Sequence, residues 1–308
     1  MMPFWLTKKR WKLMRFMAVG AISPAKSYMI ACPACAANIL FMDFFFQFFC
    51  ITLLGMALGS FATVLVHRIP RAESWALGRA GEAARFTRSQ CPDCHTQLGI
   101  QDLIPVFSFL FLKGKCRHCS ATIPRQYLWV ELTTILLCWG FLFSTATWPW
   151  LLFLCLLTPF LTALFYIDLK HYILPDILVI ILAGLFFLQA SVLTVFAAVN
   201  GFLNLQYLAN LWGMPLLSAI CYGGFSWLLR FGFGTIMNKE VMGLGDVKFF
   251  AMAGLWLGVA QMPFFLFIAG AVGTIMGLVY KYLFKEGIFP FGPALIAAFY
   301  INLLLYFP

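Results

Sequence analysis

Two aspartates, Asp168 in the sequence YIDLKHYILPD and Asp246 in MGLGDVK, stand at the edges of long uncharged segments. Ionisable groups at or within a membrane are costly and tend to mark functional sites. Two carboxyl groups held close together cannot easily both ionise, so such a pair shares one proton. One group can then act as a general base on a water molecule while the other acts as a general acid. Such a pair can hydrolyse an amide without a metal or a covalent intermediate.

The two glycines before Asp246 suggest how a substrate would reach it. We expect Gly243 and Gly245 to allow unusual backbone angles and close approach at the start of a helix. An extended substrate could then reach Asp246, whose carboxylate would interact with the helix N-terminus. The alternative is that Asp246 only caps this helix, because aspartate is common at that position.

Two further charged residues are predicted to support the pair. Asp176 follows Pro175 and precedes an apolar run, a pattern typical of a helix N-cap, so we assign it a structural or supporting role. We interpret Lys248 as an anchor at the membrane interface that also balances charge near Asp246. The motifs Gly-x-Ser-x-Gly and His-Glu-x-x-His are absent from the sequence, which disfavours a serine hydrolase or a zinc protease.

Four of the ten cysteines form two Cys-x-x-Cys pairs, CPDC (Cys91 and Cys94) and CRHC (Cys116 and Cys119). Two such knuckles can present four thiolates tetrahedrally to Zn²⁺. Four thiolates leave no open position for water, so we expect a structural zinc that folds a loop without its own core. A pair of redox dithiols, or replacement of one thiolate by His95 or His118, are the alternatives.

The elements that carry these residues are predicted to be membrane helices. Apolar residues make up 63% of the chain and charged residues 10%, and no Asp, Glu, Lys or Arg occurs in residues 177–229 or 249–280. A bilayer crossing needs about 20 apolar residues. The sequence therefore predicts an all-α polytopic membrane protein with a small zinc-ribbon-like domain. Eight candidate spans lie at about 42–66, 127–145, 149–167, 177–197, 211–231, 247–260, 263–281 and 288–306.

The basic residues predict the orientation of these spans. From residue 42 onward every Lys and Arg falls in connections on one side, and excess Lys and Arg marks the cytoplasmic face. The loop 67–126 and both aspartates are therefore expected on the cytoplasmic side. The net charge of +10 reflects this asymmetry and requires no nucleic-acid partner. Basic loop residues are expected to lie against anionic lipid headgroups: Arg79, Arg85, Arg88, Lys113, Lys115 and Arg117.

The first 41 residues do not fit this topology, because they carry six more Lys and Arg on the opposite side. We interpret residues 1–41 as a basic extension that is disordered or not part of the native chain, and its Cys32 and Cys35 as without function. The predicted organisation is then a first transmembrane helix at 42–66, the four-cysteine domain at 67–126 and a seven-helix peptidase domain at 127–308.

Taken together, these segments resemble the type IV prepilin peptidases from about Phe44 to the C-terminus. The order and spacing of the segments make the resemblance specific. The chain departs from the family pattern in having Thr63 where Asn is frequent and Ile177-Leu178 where Leu-Thr is frequent. The matching segments are GSFATVLVHRIPR (59–71), the cysteine-containing stretch 90–132, YIDLKHYILPD (166–176), GLGDVKFFAMAGLWLG (243–258) and FPFGPAL (289–295).

The resemblance implies an activity and two partners. Asp168 and Asp246 match the aspartic-protease pair of the family, which cleaves a short basic leader from prepilins or pseudopilins on the cytoplasmic side of the bacterial inner membrane. Many members then methylate the new N-terminus with S-adenosylmethionine, an activity assigned to the cysteine-containing domain. A transporter, or a scaffold for secretion or pilus assembly with a zinc-stabilised docking loop, is the alternative function.

Overall fold

The computed structural model describes residues 33–71, 89–91, 93–144, 147–237, 242–284 and 289–306. Residues 1–32, most of the predicted extension, lie outside this part of the chain, as do Arg79, Arg85 and Arg88. The helices, in chain order, are α1 (Pro33–Arg68), α2 (Phe107–Phe111), α3 (Gln126–Phe141), α4 (Trp148–Cys155), α5 (Thr158–His171), α6 (Asp176–Val199), α7 (Met214–Met237), α8 (Leu244–Leu257), α9 (Met262–Val279) and α10 (Gly292–Tyr306).

The all-helical prediction is confirmed. Within the described ranges there is no β-strand, only two isolated β-bridges in the cysteine-containing loop. An apolar chain in a bilayer satisfies its backbone hydrogen bonds within each helix, because the hydrocarbon offers no other partners. Proline in the first turn starts α4, α5 and α9, where its missing N–H costs nothing.

A helix occupies each of the eight predicted spans, but their lengths differ. Five segments are long and apolar enough to cross a membrane: Met42–Arg71, Trp148–His171, Asp176–Val199, Leu205–Ile236 and Val259–Tyr282. Three further helices, α3, α8 and α10, have 16, 14 and 15 residues. The first helix begins at Pro33, so it extends nine residues into the segment that we interpreted as a disordered or non-native extension.

The segment that carries Asp168 lies at the centre of the bundle. In the span Trp148–His171, 61% of an 18-residue apolar stretch is buried by the rest of the protein. In the span Val259–Tyr282 the corresponding share is 17%. Helix α5 packs against α1, α3, α6 and α10, whereas α8 packs against α6, α7 and α10. Helices α6 and α10 therefore contact both of the helices that carry the two aspartates.

The cysteine-containing loop is a separate small unit between α1 and α3. A short 3₁₀ helix, Ile100–Leu103, precedes α2, and the two β-bridges pair Gln90 with Gln97 and Lys115 with Thr122. One main-chain contact fixes this unit to the bundle: the N–H of Val106 donates to Oε2 of Glu131 in α3, at 2.7 Å.

Candidate active site and metal centre

Asp168 lies in the last turn of α5 with 5% of its surface exposed. The helix ends three residues later because Tyr172 adopts a left-handed conformation, with φ of 57°, and its N–H donates to the Asp168 carbonyl. The chain then turns through Leu174 and Pro175 into α6. This turn brings the start of α6 back beside the carboxyl group of Asp168.

Asp246 lies in the first turn of α8, and its Oδ2 accepts the N–H of Gly243 at 3.2 Å. The helix-capping role considered from the sequence is therefore present. A carboxylate has two oxygens and about four sites for hydrogen bonds, so a single capping bond leaves capacity for a second role. The two roles of Asp246 are compatible.

Asp168 and Asp246 lie at neighbouring helix ends, because Leu174 lies close both to Gly245, directly before Asp246, and to Gly292, whose N–H binds Asp168. Asp246 is close enough for its charge to act on the Asp168 carboxyl group. The N–H of Gly292, at the start of α10, donates to Asp168 Oδ2 at 3.0 Å. The C-terminal end of α5 and the N-terminal ends of α8 and α10 therefore converge.

Close packing around Leu174 allows this convergence. A Cβ on Gly245 would lie 3.0 Å from the Cβ of Leu174, and a Cβ on Gly292 would lie 2.5 Å from Asp168 Oδ2 and 3.2 Å from Leu174 Cδ2. The shortest distance at each position, 3.0 Å for Gly245 and 2.5 Å for Gly292, is too short for an ordinary side-chain contact. Leu174 thus lies between the two helix starts, and only glycine fits at these two positions without displacing a neighbouring group.

The expected role of the glycines before Asp246 needs one correction. Gly243 has φ of −66° and ψ of 149°, a conformation open to any residue, and Gly245 is in regular helix. The prediction of unusual backbone angles at these positions is therefore wrong. What Gly245 provides is the close approach to Leu174.

Arg230, which the sequence analysis did not single out, lies beside Asp246. Its guanidinium donates to the carbonyl of Met242, and its charge acts on the Asp246 carboxyl group. An arginine near the end of a membrane helix is costly unless it has partners, and these contacts supply them. The signal was present in the sequence, because Arg230 ends the uncharged run that begins at Ile177.

Asp176 and Lys248 form an ion pair with each other. Lys248 Nζ lies 2.6 Å from Asp176 Oδ2, and both side chains are more than half exposed. The pair joins the first turn of α6 to the second turn of α8, which fits a supporting role for Asp176. The charge balance near Asp246 that we expected from Lys248 comes from Arg230 instead.

The arrangement has the parts required for general acid–base chemistry on a water molecule. Two carboxyl groups share a largely apolar site, one of them almost fully buried. Burial removes competing water and strengthens the electrostatic interactions of both groups. The hydrogen bonds to the two carboxyl groups come from the backbone N–H groups of Gly292 and Gly243.

The four predicted cysteines also come together. The Sγ atoms of Cys91, Cys94, Cys116 and Cys119 all lie within 4.8 Å of one another, and those of Cys91 and Cys119 are 3.8 Å apart. Zn–S bonds of about 2.3 Å in a tetrahedron place sulfur atoms about 3.8 Å apart. The donor set and its spacing fit a structural Zn²⁺ held by four thiolates.

The two knuckles repeat the same backbone pattern. In each, the N–H of the first cysteine donates to the carbonyl five residues on, and its carbonyl accepts from the N–H four residues on. The residue at that fourth position, His95 or Ser120, has positive φ. His95 and His118 are exposed and are not part of the cluster, so the geometry favours four cysteines over a mixed set.

Two family models match the chain. The bacterial peptidase A24 N-terminal domain matches residues 53–145, which include all four cysteines, and the type IV leader peptidase family matches residues 155–278, which include both aspartates. No solved structure matches the chain.

Curated relatives match over most of their lengths. The type 4 prepilin-like proteins leader peptide-processing enzyme of Escherichia coli is 34% identical over 272 residues, covering 81% of this chain and 92% of the relative. A prepilin leader peptidase/N-methyltransferase of Pseudomonas aeruginosa is 35% identical over 283 residues, covering 83% and 89%. One of Neisseria gonorrhoeae is 30% identical over 258 residues, covering 79% and 85%.

The four-cysteine geometry predicts bound zinc. We expect the purified full-length protein to contain about one zinc per chain, and Cys91→Ser to lose most of it, because three thiolates with a hydroxyl hold Zn²⁺ more weakly. Elemental analysis by mass spectrometry measures the ratio. Cys221→Ser, in the span α7, is the matched control and should keep its zinc. Metal-free protein that remains fully folded would contradict the assignment.

Proposed function

Because this chain belongs to the type IV leader peptidase family, we propose that it is an endopeptidase that removes leader peptides from type IV prepilins or pseudopilins. The names of its relatives in Escherichia coli and Pseudomonas aeruginosa support this substrate class. The observation that carries the chemistry is the convergence of Asp168 and Asp246 at the meeting point of three helix ends.

We infer an aspartic mechanism in which both carboxyl groups act on one water molecule. The charge of Arg230 beside Asp246 favours a carboxylate there, so Asp246 is assigned as the general base that takes a proton from water. Asp168 is assigned as the acid that donates a proton to the scissile carbonyl oxygen, so that a tetrahedral diol forms. As the C–N bond breaks, Asp246 passes the proton that it took from water to the leaving amine, and Asp168 recovers a proton from the diol. The Gly292 N–H holds one Asp168 oxygen in a fixed direction during these transfers.

The position of the site suits the substrate that we propose. A prepilin has a short basic leader followed by an apolar helix, so its cleavage point lies where a helix leaves the bilayer. Asp168 ends α5 and Asp246 begins α8, and both therefore lie at helix ends. The charge asymmetry of the sequence supports our proposal that this end, with the cysteine-containing loop, faces the cytoplasmic side of the inner membrane.

We also propose that the enzyme methylates the new N-terminus. Relatives over most of this chain are named prepilin leader peptidase/N-methyltransferase, which supports a second activity. S-adenosylmethionine is the second substrate: the free amine attacks its methyl group, the bond from sulfur to that methyl group breaks, S-adenosylhomocysteine leaves, and the methylated amine loses a proton. The four-cysteine unit would keep its zinc as a structural element during this reaction, because four thiolates leave no open coordination site.

Loss of either acidic group should stop cleavage. We expect Asp168→Asn and Asp246→Asn each to lower the rate of prepilin cleavage by at least about 100-fold, since an amide can neither accept nor donate the required proton. Cleavage of a purified prepilin by the full-length enzyme in lipid nanodiscs measures the rate. Asp43→Asn, an exposed carboxyl group in α1, is the control. Normal processing by both variants would instead favour the transporter or scaffold function.

The hydrogen bond from the Gly292 N–H to Asp168 should matter as much for the rate of cleavage as the carboxyl group of Asp168 itself. A methyl group on Gly292 would lie 2.5 Å from Asp168 Oδ2, so Gly292→Ala must displace one of the two. A shift of about 1 Å in a reacting group costs about 100-fold in rate, and we expect a loss of that order in kcat. Gly270→Ala in α9 is the matched control, because nothing lies within 4 Å of its added methyl group. Equal rates for the two variants would remove Gly292 from the site.

Methylation should require cleavage only because cleavage creates the free N-terminus that accepts the methyl group. With labelled S-adenosylmethionine, we expect Asp246→Asn to leave an intact prepilin unlabelled, because no free N-terminus forms. The same variant should label a prepilin that the unmodified enzyme has already cleaved. Failure of the unmodified enzyme to label cleaved prepilin would restrict the function to proteolysis and leave the aspartate pair unaffected.

A further inference from the structure

The cysteine-containing loop carries large apolar side chains that remain between 41% and 83% exposed in the described structure. They occupy the turn before α2 and the helix itself, and we call them the apolar ridge: Leu103, Ile104, Phe107, Leu110 and Phe111. They follow one another along the end of the 3₁₀ helix, the turn and α2, and Phe107, Leu110 and Phe111 have the i, i+3 and i+4 spacing that shares one face of α2. Phe111 is 83% exposed and Leu110 is 58% exposed. The ridge is therefore a continuous apolar surface outside the spans.

The opposite face of the same segment is used for packing. Phe109 lies against Gly114, where an added Cβ would be 3.0 Å from the phenyl ring, and Gly114 itself is buried directly before the second knuckle. Phe109 and Leu112 are half-buried. The four-cysteine unit thus holds α2 by one face and leaves the apolar ridge on the other.

Helix α3 determines the level of the ridge relative to the lipid headgroups. Val106, which immediately precedes α2, donates its N–H to Glu131 at 2.7 Å, and Val106 is held at φ of 62°, an unfavourable conformation for a β-branched residue. Trp129, two residues before Glu131, is 58% exposed on α3. Exposed tryptophans are enriched at the level of the lipid headgroups. The ridge therefore begins near the depth of this aromatic side chain.

Two cations follow the ridge directly. Lys113 and Lys115 are exposed, and neither forms an ion pair in the part of the chain that the structure describes. By contrast, Arg117, which we expected to face headgroups, pairs with Asp102 at 2.8 Å. An apolar helix face bordered by lysines is the pattern of a segment that lies in the membrane interface next to anionic lipid.

We propose that the apolar ridge lies in the bilayer interface beside the bundle, with its phenyl rings at the acyl-chain boundary and Lys113 and Lys115 at the phosphates. Continuity with the membrane surface at Glu131 and Trp129, together with the charge of the lysines, favours lipid as the occupant. Contact with lipid would hold the four-cysteine unit against the membrane. The unit would then be fixed at four places: the two chain connections, the Val106–Glu131 hydrogen bond and the ridge.

Site-specific photocrosslinking tests this placement in the full-length protein. The photoreactive residue p-benzoylphenylalanine replaces Phe111 in one variant and Leu110 in a second, with exposed Gln97 on the first knuckle as the matched control. Each variant is placed in nanodiscs of phosphatidylcholine and phosphatidylglycerol and illuminated, and adducts are identified by mass spectrometry. A variant counts as folded when its zinc content equals that of the unmodified protein. The test requires only one folded ridge variant, at position 110 or at position 111.

We expect lipid adducts at positions 110 and 111 with a yield at least about tenfold above that at position 97. Crosslinks to a second copy of the chain would overturn the proposal in favour of a dimer interface. Adducts that form only after prepilin is added would assign the ridge to substrate instead. Equal yields at all three positions would also refute it. None of these outcomes depends on the roles of Asp168 and Asp246, because the readout is the adduct and not cleavage.

Discussion

The structure of the site depends on the close approach of three helix ends around Leu174. Helices α5 and α8 carry the two aspartates, and α6 and α10 contact both of them. Gly245 and Gly292 permit this approach because a side chain at either position would meet Leu174 or Asp168. Since bundle cores are densely packed, a single methyl group at either position must displace a neighbouring group. The geometry of the acidic pair is therefore a consequence of packing.

Burial of two acidic groups in an apolar bundle requires specific partners. The Gly292 N–H serves Asp168, and the Gly243 N–H and the Arg230 charge serve Asp246. A hydrogen bond to a charged group contributes about 1.5–3 kcal/mol, which offsets part of the cost of removing it from water. The two environments differ, and this difference supports different roles for two residues of the same type.

The cysteine-containing loop solves a separate problem. It is too short to form a hydrophobic core of its own, so four cysteines brought together with their sulfur atoms within 4.8 Å take the place of one. The Val106–Glu131 hydrogen bond connects this unit to the bundle, and the short α2 between the knuckles presents the apolar ridge. A polar anchor and an apolar surface thus lie on the same segment, which supports our placement of this unit against the membrane.

The sequence by itself determined the helical membrane class, the four-cysteine cluster and the two aspartates, because uncharged runs, Cys-x-x-Cys spacing and isolated acids are local patterns. It also gave the position of a helix for every predicted span, although not the length of each. It did not reveal the roles of Gly292, Arg230 or Leu174, and it misassigned the backbone of Gly243 and the partner of Lys248. Gly292 and Asp168 are separated by 124 residues, so no local pattern links them. Only the tertiary packing of α5, α8 and α10 decides which polar groups meet, because each contact depends on how closely neighbouring helices can approach.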